Sequence, residues 1–370
     1  MSIKTVVASL LLIFALSAQA QNSSAPADTG KPLSNIGYTS IFYHDSTYIL
    51  TCSHELLYST NGLTWKKAAS PKRYFDIKSF TYFKNRFIGA GFDGGSKMAL
   101  YSSSDGKSWQ AHILKEKARK GFGGKSGIGL WGIASNDSIA VTCGARGTVL
   151  FSHDGETWTK VKLEQKDISP FFSVCWTGKR FIAVGAYGRI IISEDGKIWK
   201  TANSVSDKHL YDVTGSETGC VASGTDGTLL YSKAGVNWTD AKINAEKTDH
   251  DKITTVINVN GRFIAAGYKA VVGPVHLLNN LQFGRLCVPA TYIVGTGPEA
   301  VYFTSDDGKK WSKIDGTPDK LNKGIQDLIW DGTQFIATAN AFSPSLIVRS
   351  MYDKKSLITS IDGNTWNLKE

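Results

Sequence analysis

Carboxylates are the first groups in this sequence that could do chemistry. Hydrolysis of a glycosidic bond needs two of them roughly 5–9.5 Å apart across a cleft. A recurring motif takes up much of the supply. Asp105, Asp154, Asp195, Asp307 and Asp362 sit inside it, and Glu156 and Glu194 flank it. Outside it stand Glu55, Asp93, Asp226 and Glu299, the candidate catalytic acids, and nothing in the sequence pairs them. The His residues, His44, His54, His112, His153, His209, His250 and His276, show no ligand spacing, so neither a metal site nor a cofactor is expected. Gly121 to Ser126 lacks the spacing of a phosphate-binding loop. Cys52, Cys143, Cys175, Cys220 and Cys287 lie in or beside apolar runs without Cys-x-x-Cys spacing. They read as buried free thiols, with one disulfide left open in an oxidising compartment.

Recognition is the second chemistry on offer. Arg73, Tyr74, Arg119, Arg146, Tyr187, Arg189, His209 and Tyr268 interleave basic groups with aromatics in the connecting segments. Such a rim suits an acidic protein segment or an anionic glycan. The alternative is a solvated charge run with aromatics packed between structural units. The formal net charge of +10 is spread along the chain. It is modest, and nucleic acid is not an expected partner.

These groups must be positioned by a repeat. Ser152-His-Asp154-Gly-Glu-Thr-Trp158 sets the pattern, and it recurs ending at Trp109, Trp199, Trp311 and Trp366. The copy ending at Trp65 carries Asn61 in place of Asp, and the copy ending at Trp238 carries Ala234. Seven of the 10 Trp residues thus share one position. The chemistry is that of a tight turn between strands. An Asp or Asn side chain accepts nearby backbone N–H groups, Gly supplies a positive φ, and Trp re-enters the apolar layer. Lacking the acceptor, the Ala234 turn should be the least well held.

Upstream of the motif, Arg180-Phe-Ile-Ala-Val-Gly185 is echoed by Arg86 to Gly91 and Arg262 to Gly267. Runs of this kind bounded by Gly read as buried strands. Each unit therefore reads as four antiparallel strands, A to D, with the Ser-x-Asp-Gly turn between C and D. Units of about 40 residues with four strands are propeller blades. The fold class is all-β, a seven-bladed β-propeller. Eight blades is the alternative, because Trp238 and Trp311 are nearly twice as far apart as their neighbours and Thr291 to Gly295 resembles an eighth B strand. Either an insertion spans Val271 to Ala290 or a blade has lost its motif. The absence there of a clear second set of four strands favours seven.

The motifs resemble the Asp-box, or bacterial neuraminidase, repeat. The fuller form, with Gly144-Ala-Arg-Gly147 before strand C and its echoes at Gly185 to Gly188 and Gly224 to Gly227, looks most like the photosystem II stability and assembly factor repeat. The resemblance covers residues 36–370 and implies a propeller, but the motif is structural and does not transfer an activity. A sialidase would also carry an arginine triad and an Arg-Ile-Pro segment ahead of the first repeat. The only Arg-Ile here is Arg189-Ile190, and no Arg precedes Arg73.

Residues 1–20 read as a signal peptide, with Lys4, an apolar stretch from Val6 to Leu16 and Ala18-Gln-Ala20 for cleavage. Residues 21–35 read as a flexible lead-in and 36–370 as the propeller. An exported, periplasmic or secreted monomer without a transmembrane segment is expected. Its leading function is non-catalytic binding of a protein or glycan through the B–C and D–A loops. A glycoside hydrolase using Glu55, Asp93, Asp226 or Glu299 is the alternative.

Overall fold

A computed structural model describes residues 38–52, 55–70, 74–94, 97–114, 129–164, 168–216, 219–244, 251–269, 299–314, 324–340 and 356–369, with four short strands between 275 and 293. Residues 1–35, read from the sequence as a signal peptide and lead-in, lie outside the described residues. Seven antiparallel sheets form the ring, each read here from inner strand A to outer strand D. Blade one runs Tyr38–His44, Thr47–Cys52, Glu55–Ser59, Lys66–Lys67, and blade two Asp76–Phe83, Arg86–Phe92, Met98–Ser103, Gln110–Ile113. Blade three is Leu130–Ser135, Ala140–Gly144, Thr148–Ser152, Thr159–Lys160, and blade four Phe171–Trp176, Phe181–Gly185, Ile190–Ser193, Lys200–Thr201. Blade five is Leu210–Ser216, Gly219–Gly224, Leu229–Ser232, Thr239–Asp240. Blade six comprises Asp251–Val259, Arg262–Lys269, Glu299–Ser305 and Lys310–Lys313, with Lys242–Asn244 added in parallel at its outer edge. Blade seven is Gly324–Trp330, Phe335–Asn340, Ser356–Ser360, Asn367–Lys369.

The propeller therefore has seven blades, and the long spacing before Trp311 is an insertion. Between strands B and C of blade six, Val275–Leu277 pairs with Thr291–Ile293, and Leu281–Phe283 with Leu286–Val288. The run that resembled an eighth B strand belongs to this pair of short ladders.

Hydrophobic burial acts between blades more than within them. Six buried clusters each join two neighbouring blades, and the turn Trp enters the one shared with the preceding blade, as Trp199 does beside Val141 and Phe181. The turns that aim these rings are alike. Asp154 Oδ1 accepts the N–H groups of Glu156 (2.8 Å) and Thr157 (2.7 Å), two and three residues on. Ser152 Oγ donates to Asp154 Oδ1 and accepts the Gly155 N–H, both at 2.8 Å. The turn glycines all have φ between 66° and 78°, a region a Cβ penalises.

Blade five shows what the missing carboxylate does. Trp238 Nε1 still donates to the Gly235 carbonyl at 2.9 Å, but the buried Ser232 hydroxyl has no hydrogen-bond partner. Restoring the acceptor with Ala234→Asp should satisfy Ser232 and two turn N–H groups. We expect a gain of about 1 kcal/mol, seen as a higher guanidinium midpoint at unchanged slope; an unchanged midpoint would refute this.

Candidate binding face at the channel mouth

The inner strands present side chains to the central channel through a repeated irregularity. Every inner strand has one extra residue near its start: Thr39, Lys78, Trp131, Phe172, Tyr211, Thr254 and Gln326. A bulge leaves that residue unpaired and re-aims its side chain. In blades two to six the neighbouring B strand permits the bulge with a glycine opposite the residue that precedes it. A Cβ at Gly91, Gly144, Gly185, Gly224 or Gly267 would lie 1.9–2.2 Å from a carbonyl oxygen of the inner strand's approach. In blades three to five the bulged residues are aromatic, and they touch. Trp131 and Phe172 have ring centroids 5.5 Å apart, and Phe172 and Tyr211 5.8 Å. The result is a half-buried row of rings at the channel mouth, on the B–C and D–A loop face.

Around the row, the B–C turns of blades three, four and five share one conformation and differ in chemistry. Their tips, Arg146, Tyr187 and Asp226, have φ of 56°, 56° and 55°. Non-glycine residues are uncommon in this left-handed region, and a bulky one there is a costly display position. Arg146 and Tyr187 are exposed, whereas Asp226 pairs with Lys208 at 2.8 Å. The Tyr187 N–H donates to His209 Nδ1 (3.2 Å), and His209 in turn lies edge-on to Phe172. Ile168 (73 % exposed), Tyr187 (70 %) and Val205 (61 %) leave apolar surface beside the rings. Burial raises the Tyr211 phenol above its ordinary range, with the Lys252 charge pulling the other way.

The remaining residues read from sequence fall into three groups. Arg73 and Arg119 lie outside the described residues, and Tyr74 is exposed. Arg189 is buried: its guanidinium sits 4.4 Å from the Phe171 ring centroid and donates to the Ser169 carbonyl at 2.9 Å, fastening the D–A loop to the inner strand. Tyr268 is half-buried, with the Lys252 ammonium 5.8 Å from its ring centroid. The four candidate acids are placed on blades one, two, five and six. Glu55 has Lys67 at 3.6 Å, Asp93 accepts the Lys97 N–H at 3.1 Å, Asp226 holds Lys208, and Glu299 is exposed opposite Lys269.

Trp131, Phe172 and Tyr211 are not among the site residues read from the sequence. The signal that could have found them is positional, one residue past the first large apolar residue of the inner strand. Among the described residues, no group of three His, Cys, Asp or Glu side chains could hold a metal ion. Nor, among them, is any helix long and apolar enough to cross a membrane. Cys143 and Cys220 are free and buried, and burial pushes the Cys220 thiol up to about 11.

No family model matches the chain, and no curated protein matches it by sequence. Solved structures do match its shape. YCF48 from Cyanidioschyzon merolae is similar with a TM-score of 0.56 at 14% identity, over 83% of this chain and 94% of that one. YCF48 bound to D1 peptide matches at 0.54 and 13%, over 82% and 89%. The WD40 β-propeller domain of Doa1 matches at 0.54 and 10%, over 84% and 94%. At such identities the likeness establishes a shared propeller fold.

Proposed function

We propose that this chain is an exported, non-catalytic propeller that takes a segment of a partner protein across blades three to five of its B–C and D–A face. The observation that carries this reading is the contiguous row Trp131–Phe172–Tyr211 with its exposed apolar border. Aromatic anchors in a desolvated centre, ringed by polar groups, are how protein interfaces concentrate binding energy. Arg146 and Lys252 add positive charge at the edge, which suits acidic residues in the partner. That a propeller of the same fold, YCF48, is known with a D1 peptide bound supports a peptide-binding role for the architecture. Export rests on the signal-like residues 1–20, and kinship with the Asp-box repeats on the Ser-x-Asp-Gly turns.

A crosslinking pull-down from the native host, repeated with Phe172→Ala/Tyr211→Ala, tests it. A hot-spot pair should weaken capture of a specific partner by at least about 30-fold, while Leu63→Ala on the far face should leave it unchanged. Equal capture by the double variant would sink the proposal. Turnover on a glycan panel, abolished by Glu299→Gln or Asp226→Asn, would replace it with the hydrolase reading.

A further inference from the structure

The opposite face, which carries the A–B and C–D turns, has an arginine clasp at two blade junctions that lacks its acceptor at a third. Arg86, at the start of strand B in blade two, pairs with Glu156 in the C–D turn of blade three. Arg262 does the same from blade six to blade seven, donating to the Asp362 carbonyl and to Asn364 Oδ1, each at 2.7 Å. Arg180 occupies the equivalent place between blades four and five. A Cβ at Gly235 would lie 3.7 Å from Arg180 Cδ, as one at Gly155 would lie 3.5 Å from Arg86 Cδ.

The acceptor is what differs. Glu156 and Asn364 follow the turn glycine, and in blade five that position is Val236, while the turn acid is Ala234. Arg180 therefore reaches back to Glu194 of its own blade, at 3.3 Å, a partner that is 72 % exposed. An exposed pair of this kind holds weakly. Arg180 Nε is left buried without a hydrogen bond. Beside it opens a groove of about 490 Å³ lined by Thr177, Lys179, Arg180, Ser216, Cys220, Lys233 and Ala234. Among the described residues that line it, three are cations and none is a carboxylate. Its counterpart between blades two and three, about 270 Å³, contains Glu156.

We propose that this groove binds an oxyanion, a phosphate or carboxylate group held by the Arg180 guanidinium between Lys179 and Lys233. A guanidinium with an unmade bond is suited to such a group, because its planar fork donates two parallel charge-assisted hydrogen bonds. The ligand would supply the acceptor that the other two arginine junctions build into the chain. The site lies across the propeller from the aromatic row, so it stands or falls separately from the partner-binding proposal.

The test is calorimetric titration of the full chain at fixed ionic strength, with sodium phosphate in one arm and a short Glu-rich peptide in the other. The arm that binds identifies the source of the oxyanion. Arg180→Gln should weaken binding at least about tenfold. Val236→Glu, which keeps every cation but restores an internal acceptor, should do the same. Arg86→Gln, with its acceptor already supplied, should change nothing. Lys179→Gln/Lys233→Gln removes only exposed cations and should also weaken binding, so the test survives a folding defect at Arg180. Three results would overturn the site: no binding in either arm, unaltered binding in Val236→Glu, or an equal loss in Arg86→Gln.

Discussion

Trp311→Ala should lower the unfolding free energy by about 3–5 kcal/mol, more than the same change at any other turn Trp except Trp238. Trp311 is 1 % exposed and fills the seam between blades five and six, against Val221, Ile253, Val256 and Phe263. An aromatic side chain buries about 150–250 Å², which at roughly 25 cal/mol per Å² is worth about 4–6 kcal/mol, enough for the expected loss before any cavity is counted. Two features of this site add to the cost. Lys242–Asn244 pairs in parallel with the Trp311 strand and closes its outer side, so the seam has little freedom to collapse. The indole N–H also holds the Gly308 carbonyl at 2.9 Å, and its loss removes that bond. Trp65, half-buried and edge-on to Tyr48, should lose much less. Guanidinium unfolding at matched slopes compares the two. Equal losses would mean that the turn Trp acts through its local turn and not through the seam between blades.

That contrast marks where the sequence was legible. The turns were readable because their chemistry is local: Ser, Asp, Gly and Trp within seven positions specify both hydrogen bonds and a packing direction. The insertion in blade six showed as a spacing anomaly, and its strands could then be assigned only by pairing. The aromatic row was not readable, because a bulge is defined by register against a neighbouring strand. Thr39, Lys78, Trp131, Phe172, Tyr211, Thr254 and Gln326 share a place across six residue types. Arg189 failed for a related reason. As a basic residue in a loop it looked available, yet the Phe171 ring that buries its guanidinium lies in a different strand. The broken clasp at Arg180 needed both kinds of information. Ala234 was conspicuous in the sequence, but its consequence appears only where the next blade's turn meets the previous blade's arginine.

Asp327 should prove the most sensitive polar residue for closing the ring. Blades one and seven meet without a shared strand, and Asp327 ties them from the inner strand of blade seven. Its Oδ2 accepts Ser40 Oγ (2.7 Å) and the Ile41 N–H (2.9 Å) of blade one, and its Oδ1 accepts the Leu328 N–H (2.9 Å). Asp212 bridges in the same way, taking Ser173 Oγ of blade four and the Val256 N–H of blade six. Removing the acceptor with Asp327→Ala strands two donors at the seam and should cost about 3 kcal/mol. The pH dependence separates this role from simple packing. Burial raises the Asp327 carboxyl to about 6, against an unfolded value of 3.8, with the hydrogen bonds from Ile41 and Ser40 opposing. A raised folded-state pKa means that the native protein holds this proton more tightly, so the stabilisation is full below 3.8 and lost as pH rises through 6. Backbone N–H groups instead hold Asp105, Asp154 and Asp362 below their ordinary range, and their contribution is lost as pH falls below 3.8. Wild-type stability should therefore peak near about pH 4, and in Asp327→Asn, which keeps one of the two acceptor oxygens without a titrating proton, the decline from about pH 4 to 6 should shrink. An unchanged decline in that variant would assign the pH dependence to other groups and leave Asp327 as a hydrogen-bond acceptor alone.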